Sequence, residues 1–215
     1  MLQKHAFEPS LDMEKYKYDL SGWKDSTFDI IFREQIISIY NSVKRPLVII
    51  EVGTWKGLSA ITMAQIAKDL NIPIVVVCVD TWLGAPEFWT WGLNDPSRGI
   101  SLQKINGYPT VYYTFIKNVI QTQCEKYIAP FPISSNEAVD IFSFYSIKAD
   151  LIYVDASHEY EAVKNDITRY TTLLGPEGCI FGDDYCTNWP GVQRAVDECV
   201  PEKKVSGVVW YYKKM

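Results

Sequence analysis

Histidine is almost missing from this chain of 215 residues, which holds only His5 and His158. Chemistry that needs several imidazoles around one metal is therefore disfavoured from the outset. Cysteine is sparse as well. Cys78, Cys124, Cys179, Cys186 and Cys199 contain no C-x-x-C pair, and an odd number does not make a disulfide framework. Cys78 and Cys179 sit inside apolar runs, as buried reduced thiols do, so a reducing cytosol is the expected compartment. No uninterrupted apolar stretch opens the sequence, and neither a signal peptide nor a membrane span is expected. Concentrated positive charge is lacking too. The net charge is −5, and the longest basic runs are Lys203-Lys204 and Lys213-Lys214. Phosphate binding wants a dense basic surface, so nucleic acid is set aside as a partner. Internal repeats and low-complexity linkers are also absent.

What is present is ordinary in bulk and unusual in aromatics. A hydrophobic fraction of 47% and a charged fraction of 22% suit a soluble globular domain. Seven Trp and fourteen Tyr point to a ring-lined pocket or an interface. Short β-rich runs at 46–51, 74–80, 128–132, 149–155 and 178–183 alternate with helix-like stretches at 58–70, 108–127, 136–145 and 159–174. Several runs are continuously apolar, the pattern of parallel strands covered on both faces. Two last runs, 203–206 and 208–213, read as a closing antiparallel pair. The spacing predicts an α/β fold with a doubly wound, mostly parallel seven-stranded sheet, antiparallel at its end. Residues 1–45 read as a helical cap with an apolar face over 28–43, and 46–215 as the single domain beneath it.

Four of the strand-like runs end in a carboxylate: Glu51, Asp80, Asp155 and Asp183, the last followed by Asp184. Open α/β sheets bind ligands beyond the C-terminal strand ends, so these acids stand where function is expected. Any one of them can instead cap the following helix. After Glu51 comes V-G-T-W-K-G-L-S, a glycine turn between strand and helix that lets backbone approach a ligand closely. It matches neither G-x-G-x-x-G nor G-x-x-x-x-G-K-[ST], which disfavours dinucleotide and P-loop sites. Asp80, ending the second run, is of the type and in the place to hold a ribose diol.

Taken together, E-V-G-T-W-K-G-L-S, V-D-T-W-L-G, L-I-Y-V-D-A-S-H-E-Y-E-A-V-K-N-D and G-D-D-Y resemble the class I S-adenosylmethionine-dependent methyltransferases. The likeness runs from about residue 22 to 200, and is greatest to the macrocin-type sugar O-methyltransferase and cephalosporin hydroxylase-like group. It implies the Rossmann-like methyltransferase fold. Gly53 and Gly57 would make room for the methionine end of the cofactor, with Glu51 holding its ammonium directly or through water. Thr54, Trp55, Ser59, Thr81, Trp82 and Asp155 flank the same site, and Asp80 would take the ribose. Ser135, within Ser134-Ser135-Asn136, would lie near the adenine.

Asp155, Asp183 and Asp184 close what should be neighbouring strands and form a hard, oxygen-rich donor set. Such a set suits Mg, with Mn possible, and the resemblance implies a divalent metal at these positions. Asp184 can instead cap the next segment. His158 matches the family's base: it would accept the proton of an acceptor hydroxyl as that oxygen attacks the sulfonium methyl. A plain helix-start role is the alternative for it. The loop over 81–99 is long and rich in Gly, Pro and aromatics, as functional lids are. Trp89 and Trp91, with Phe88 and Trp82, are candidates for stacking on a substrate, joined by Tyr185 and Trp189 from the fifth run. The same rings can equally pack the lid or a homodimer contact.

The expected activity is O-methylation of a small-molecule or glycan hydroxyl, a deoxysugar such as rhamnose first, with antibiotic-, polyketide- or catechol-like hydroxyls open. A non-haem iron oxygenase is the rival from another class. It usually needs two histidines, and only His158 is placed to serve.

Overall fold

The computed structural model describes residues 6–7, 13–90 and 102–214. Trp91, His5 and most of the tip of the 81–99 loop lie outside the described residues. Seven strands run along the chain: β1 (Leu47–Val52), β2 (Ile74–Asp80), β3 (Ile128–Pro132), β4 (Ala149–Val154), β5 (Leu174–Gly182), β6 (Lys204–Ser206) and β7 (Val209–Lys213). They make one sheet in the order β3-β2-β1-β4-β5-β7-β6. β1 to β5 pair in parallel, while β7 is antiparallel to both β5 and β6. The chain thus winds outward from β1 to β3, then returns to lay β4 on the other side of β1. That reversal opens a crevice above the C-terminal ends of β1 and β4.

Helices cover both faces, which is why β4 is buried at every residue and β1 at all but Val48. Side chains alternate across the sheet. Ile49, Leu151 and Tyr153 face one core, and Ile50, Ile152 and Val154 the other. The first core is covered by α1 (Thr27–Val43) and α2 (Leu58–Asp69). From α1, Phe28 meets Tyr153 edge-on at 4.9 Å and Phe181 at 5.7 Å. Deleting a ring buried so completely costs about 3–5 kcal/mol. The second core lies under α5 (Ser135–Phe144), α6 (Tyr160–Thr171) and α7 (Pro190–Cys199), which follow α3 (Pro86–Thr90) and α4 (Val111–Gln121) in the chain. A two-pronged Arg45–Asp150 pair, both contacts at 2.8 Å, ties the end of α1 to β4. Asp150 is buried and also accepts the Val48 N–H, so its charge is compensated.

Several elements differ from the sequence reading: α3 and α7 are absent from it, α6 stops at Thr171 rather than 174, and two others are displaced. The helix expected over 108–127 is trimmed to α4, because Pro109 precedes it and Gln123 turns out at φ 55. β5 begins at Leu174, before the run expected at 178. Its Gly175-Pro176-Glu177 stretch, which looks like a turn, is a bulge with Glu177 at φ 63 and a register shift against β4.

Candidate active site

Strand register brings the acids to one rim. Val154 pairs with Gly182, so Asp155 and Asp183 leave neighbouring strands at the same level. Val52 pairs with both Val79 and Val154, which aligns the glycine turn with the ends of β2 and β4. Gly53 is at φ 88, and a Cβ there would stand 2.2 Å from the Asp155 carbonyl oxygen. Only glycine lets β1 turn beside β4 so closely. Asp80 then shapes the turn: its Oδ2 accepts the N–H groups of Thr54 at 2.9 Å and Trp55 at 2.8 Å, and its Oδ1 accepts that of Trp82 at 2.7 Å. Three non-glycine residues at this rim hold left-handed backbone: Trp55 (φ 51), Trp82 (φ 53) and Asp184 (φ 63). Such strain persists where surrounding structure over-determines it, and it gathers at functional sites.

The turn, the β2 and β3 ends and the β4–α6 loop enclose a cavity of about 430 Å³. Of the sequence-predicted residues, Gly53, Thr54, Trp55, Ser59, Asp80 and Thr81 line it on the β1–β2 side. Ser135 closes the β3 side, while Asp155, His158, Asp184 and Trp189 line the other. Glu51, Gly57, Trp82, Asp183, Trp89 and Tyr185 do not line it. Glu51 is wholly buried behind the wall, its two oxygens taken by the hydroxyls of Thr54 at 2.6 Å and Ser59 at 2.5 Å. Burial pushes its carboxyl up to about 7. Gly57 starts α2, and its missing Cβ makes room for the Phe115 ring rather than for a ligand. Trp82 is a core ring whose Nε1 donates to the Trp55 carbonyl at 2.7 Å. Trp89 is half exposed, with its Nε1 on the Leu83 carbonyl and the Lys104 ammonium 3.6 Å from its ring. Tyr185 turns its hydroxyl to Asp197 at 2.8 Å.

Around the β4–β5 end the carboxylates crowd. Tyr153, buried and two residues before Asp155 on the same face, donates its hydroxyl toward Asp155 Oδ2 at 3.2 Å and Asp183 Oδ2 at 3.5 Å. Burial raises Asp155 well above the usual carboxylate range, and the charges of Asp183 and Asp184 add to it. Burial raises Asp183 as well. Asp184 Oδ2 lies 2.8 Å from His158 Nε2, and the Trp189 ring stacks on the imidazole at 3.9 Å between centroids. Buried carboxylates that repel one another suit a hard dication in donor chemistry. As they stand, no group of three or more His, Cys, Asp or Glu side chains among the described residues is gathered to hold a metal ion.

Sequence reasoning missed several walls of this cavity. Gly22 and Trp23 line it from the segment before α1. That segment is moored by Asn118, which exchanges bonds with the Asp19 backbone at 2.9 and 2.7 Å, and by Lys56, whose ammonium meets Asp19 at 2.6 Å. No local pattern announces contacts between residues about a hundred positions apart. Phe88, by contrast, was among the stacking candidates; it lies on Trp55 at 4.5 Å and closes the lid side. Ala162 and Asp166 of α6 line the far end beside Ser135.

The fold is the doubly wound α/β class, and its switch-point cavity, floored by a glycine turn and rimmed by strand-end acids, stands where such sheets bind ligands. Within that class, residues 50–185 match a family model described as a methyltransferase domain, well over half of the chain. The chain belongs to that family, the class I S-adenosylmethionine-dependent methyltransferases. None of the curated proteins matches its sequence. Among solved structures it is similar to the O-methyltransferase NovP, at 17% identity and a TM-score of 0.61 over 87% of this chain and 79% of that one. It is similar also to CalS11, a calicheamicin methyltransferase (16%, 0.59, 96% and 98%). A third is an O-methyltransferase from Bacillus cereus, solved with S-adenosylhomocysteine (12%, 0.59, 92% and 84%). At such identities the shared property is the fold. Among the described residues no helix is long and apolar enough to cross a membrane.

Proposed function

We propose that this protein moves the methyl group of S-adenosylmethionine to a hydroxyl oxygen of a small acceptor, a sugar hydroxyl such as that of a deoxyhexose first of all. The observation that carries the reading is the position of His158. Its ring is pinned at the edge by Asp184 and on the face by Trp189, in the same cavity as the Gly53–Trp55 turn. The imidazole takes the acceptor's proton, and Asp184 beside it stabilises the imidazolium that forms. The hydroxyl oxygen bonds to the methyl carbon as the carbon–sulfur bond breaks, and its electrons leave sulfur as a neutral thioether. Holding oxygen, methyl and sulfur in line supplies much of the rate, since the sulfonium is already activated.

The remaining roles follow from the wall. Asp80 lines the cavity at the end of β2, and its carboxylate, held in place by backbone N–H groups of the glycine turn and of Trp82, would accept a ribose hydroxyl. Glu51 acts from behind: the hydroxyls of Thr54 and Ser59 line the cavity and relay its negative charge toward the cofactor's ammonium. Asp155, Asp183 and Asp184 would hold a divalent ion, Mg or Mn, which when bound would lower the pKa of the acceptor hydroxyl. A sugar acceptor is supported by CalS11, which is described as a TDP-rhamnose 3'-O-methyltransferase and matches at 16% identity and a TM-score of 0.52.

The test is a panel of nucleotide-linked hexoses and deoxyhexoses, with catechols as a second set, incubated with S-adenosylmethionine with and without EDTA and added Mg. A product heavier by one methylene, formed by wild type and not by His158→Ala, supports the reading. Turnover that ignores both His158 and EDTA overturns the base and the metal.

A further inference from the structure

Asp184, Trp189 and Gly191 belong to one segment, the link from β5 into the first turn of α7, and all three converge on His158. Asp184 Oδ2 lies 2.8 Å from its Nε2, and the Trp189 ring stacks on its face at 3.9 Å. Gly191 meets its main chain. A Cβ on Gly191 would stand 2.5 Å from the His158 carbonyl oxygen and 2.9 Å from the Tyr160 amide nitrogen. Both are backbone atoms, so no side chain can swing aside to admit it. Backbone conformation does not call for glycine here. The residue follows Pro190 in the first turn of α7, outside the left-handed region, where alanine is the better helix former. Space alone accounts for the missing Cβ. The start of α7 rests directly on the peptide that carries His158, and Val192 and Val196 bury in the same core as Val163 and Ile167 of α6.

We propose that Gly191 is a positioning residue for His158: its bare Cα seats α7 against the His158 main chain and so sets the imidazole under Trp189 and beside Asp184. This rests on the reading of His158 as the base and adds to it what holds that base in place. The main-chain contact fixes where the side chain begins, and the ring contacts fix how it is turned. A side chain held at both ends is pre-organised for proton transfer. Alanine at 191 has to part the starts of α6 and α7 by about 1 Å to reach ordinary contact, a displacement that costs a catalytic group about a hundredfold in rate. Gly191 lies beyond the strand-end motifs, and a glycine after a proline reads from sequence as punctuation.

The experiment is NMR of isotope-labelled histidine rings in wild type, Gly191→Ala and Trp189→Ala. Only two histidines give signals, and His5→Gln assigns the pair. An indole stacked face-on moves the His158 ring protons upfield, and Trp189→Ala marks where they fall without it. In Gly191→Ala the signals are expected to move most of the way to that mark. Calorimetry should find S-adenosylhomocysteine affinity within about threefold of wild type, while methylation of the hexose and catechol panel falls about a hundredfold. Ala195→Gly, in the same helix but facing the second core, should leave the signals in place. A merely structural Gly191 would behave as Ala195 does, lowering the melting temperature with the signals unmoved; that result overturns the proposal. Pro190→Gly frees the start of α7 without adding an atom beside His158. It should move the signals the same way by less, and it carries the test if Gly191→Ala does not fold, unmoved signals again overturning the proposal. Signals that move while the methylation rate holds would strike the reading of His158 as base and leave its placement by Gly191 standing.

Discussion

The Nε2 of His158 lies 2.8 Å from Asp184 Oδ2 while the Trp189 ring lies within 17° of parallel to the imidazole plane. The two contacts fix the plane of a side chain that touches the cavity. Replacing His158 by Ala is expected to lower the single-turnover methylation rate by about 10²–10⁴, with affinity for S-adenosylhomocysteine changed less than about threefold. Trp189→Ala should cost the rate about tenfold by freeing the ring. An unchanged rate in the His158 variant removes it from the chemistry.

Glu51 links cofactor affinity to pH. Its folded carboxyl titrates near 7, against an ordinary value of 4.5, because it is buried. A raised acid makes the folded state bind its proton more tightly than the unfolded chain does. Stability from this group is therefore full below about 4.5 and is lost as pH rises through 7, on the order of 3 kcal/mol across the window. Glu51→Gln should lose that slope, so its melting temperature relative to wild type climbs between those pH values. S-adenosylhomocysteine, bringing an ammonium, should bind wild type with proton release near pH 6. Parallel melting profiles for the two proteins would contradict this.

Gly53 and Gly107 share a left-handed backbone, at φ 88 and 81, but differ in surroundings. A Cβ on Gly107 meets nothing within 4 Å, while one on Gly53 collides with the Asp155 carbonyl. Gly107→Ala is expected to cost about 1 kcal/mol and leave ligand binding alone. Gly53→Ala must part β1 from β4, and calorimetry should find S-adenosylhomocysteine affinity reduced at least about a hundredfold.

Breaking the Lys56–Asp19 pair should hurt unequally from its two ends. The Lys56 side chain is 5% exposed and that of Asp19 28%. Asp19→Asn leaves a buried ammonium without its counter-charge, though Ser21 Oγ still accepts from it at 3.0 Å, at a cost of about 3 kcal/mol, whereas Lys56→Met leaves a carboxylate that water can reach, at about 1 kcal/mol. Gly22 and Trp23 follow Asp19 into the cavity wall, so Asp19→Asn should also speed release of S-adenosylhomocysteine in stopped-flow measurements.

The parallel sheet was legible because fully covered strands leave continuous apolar runs, and the strand-end acids because carboxylates are conspicuous against them. Asp155 and Asp183 could be placed side by side from topology alone. The direction of each side chain could not. Glu51 and Trp82 fall in the motifs that flank the site, yet both point into the protein, and only burial and partners reveal it. Tyr153 was within reach of the two-residue strand period, which sets it on the same face as Asp155. Asp166 left a trace as an acid within an apolar helical stripe. The Asp19–Trp23 wall left none, because it depends on Asn118 and Lys56 meeting it from distant parts of the chain.

The account stands most directly on what the cavity at the rim of the sheet admits. Titrating S-adenosylhomocysteine, NAD and 2-oxoglutarate into folded wild type separates the readings in one instrument. One equivalent of S-adenosylhomocysteine should bind, with no heat from the other two. Binding of NAD or 2-oxoglutarate with none of S-adenosylhomocysteine would contradict it.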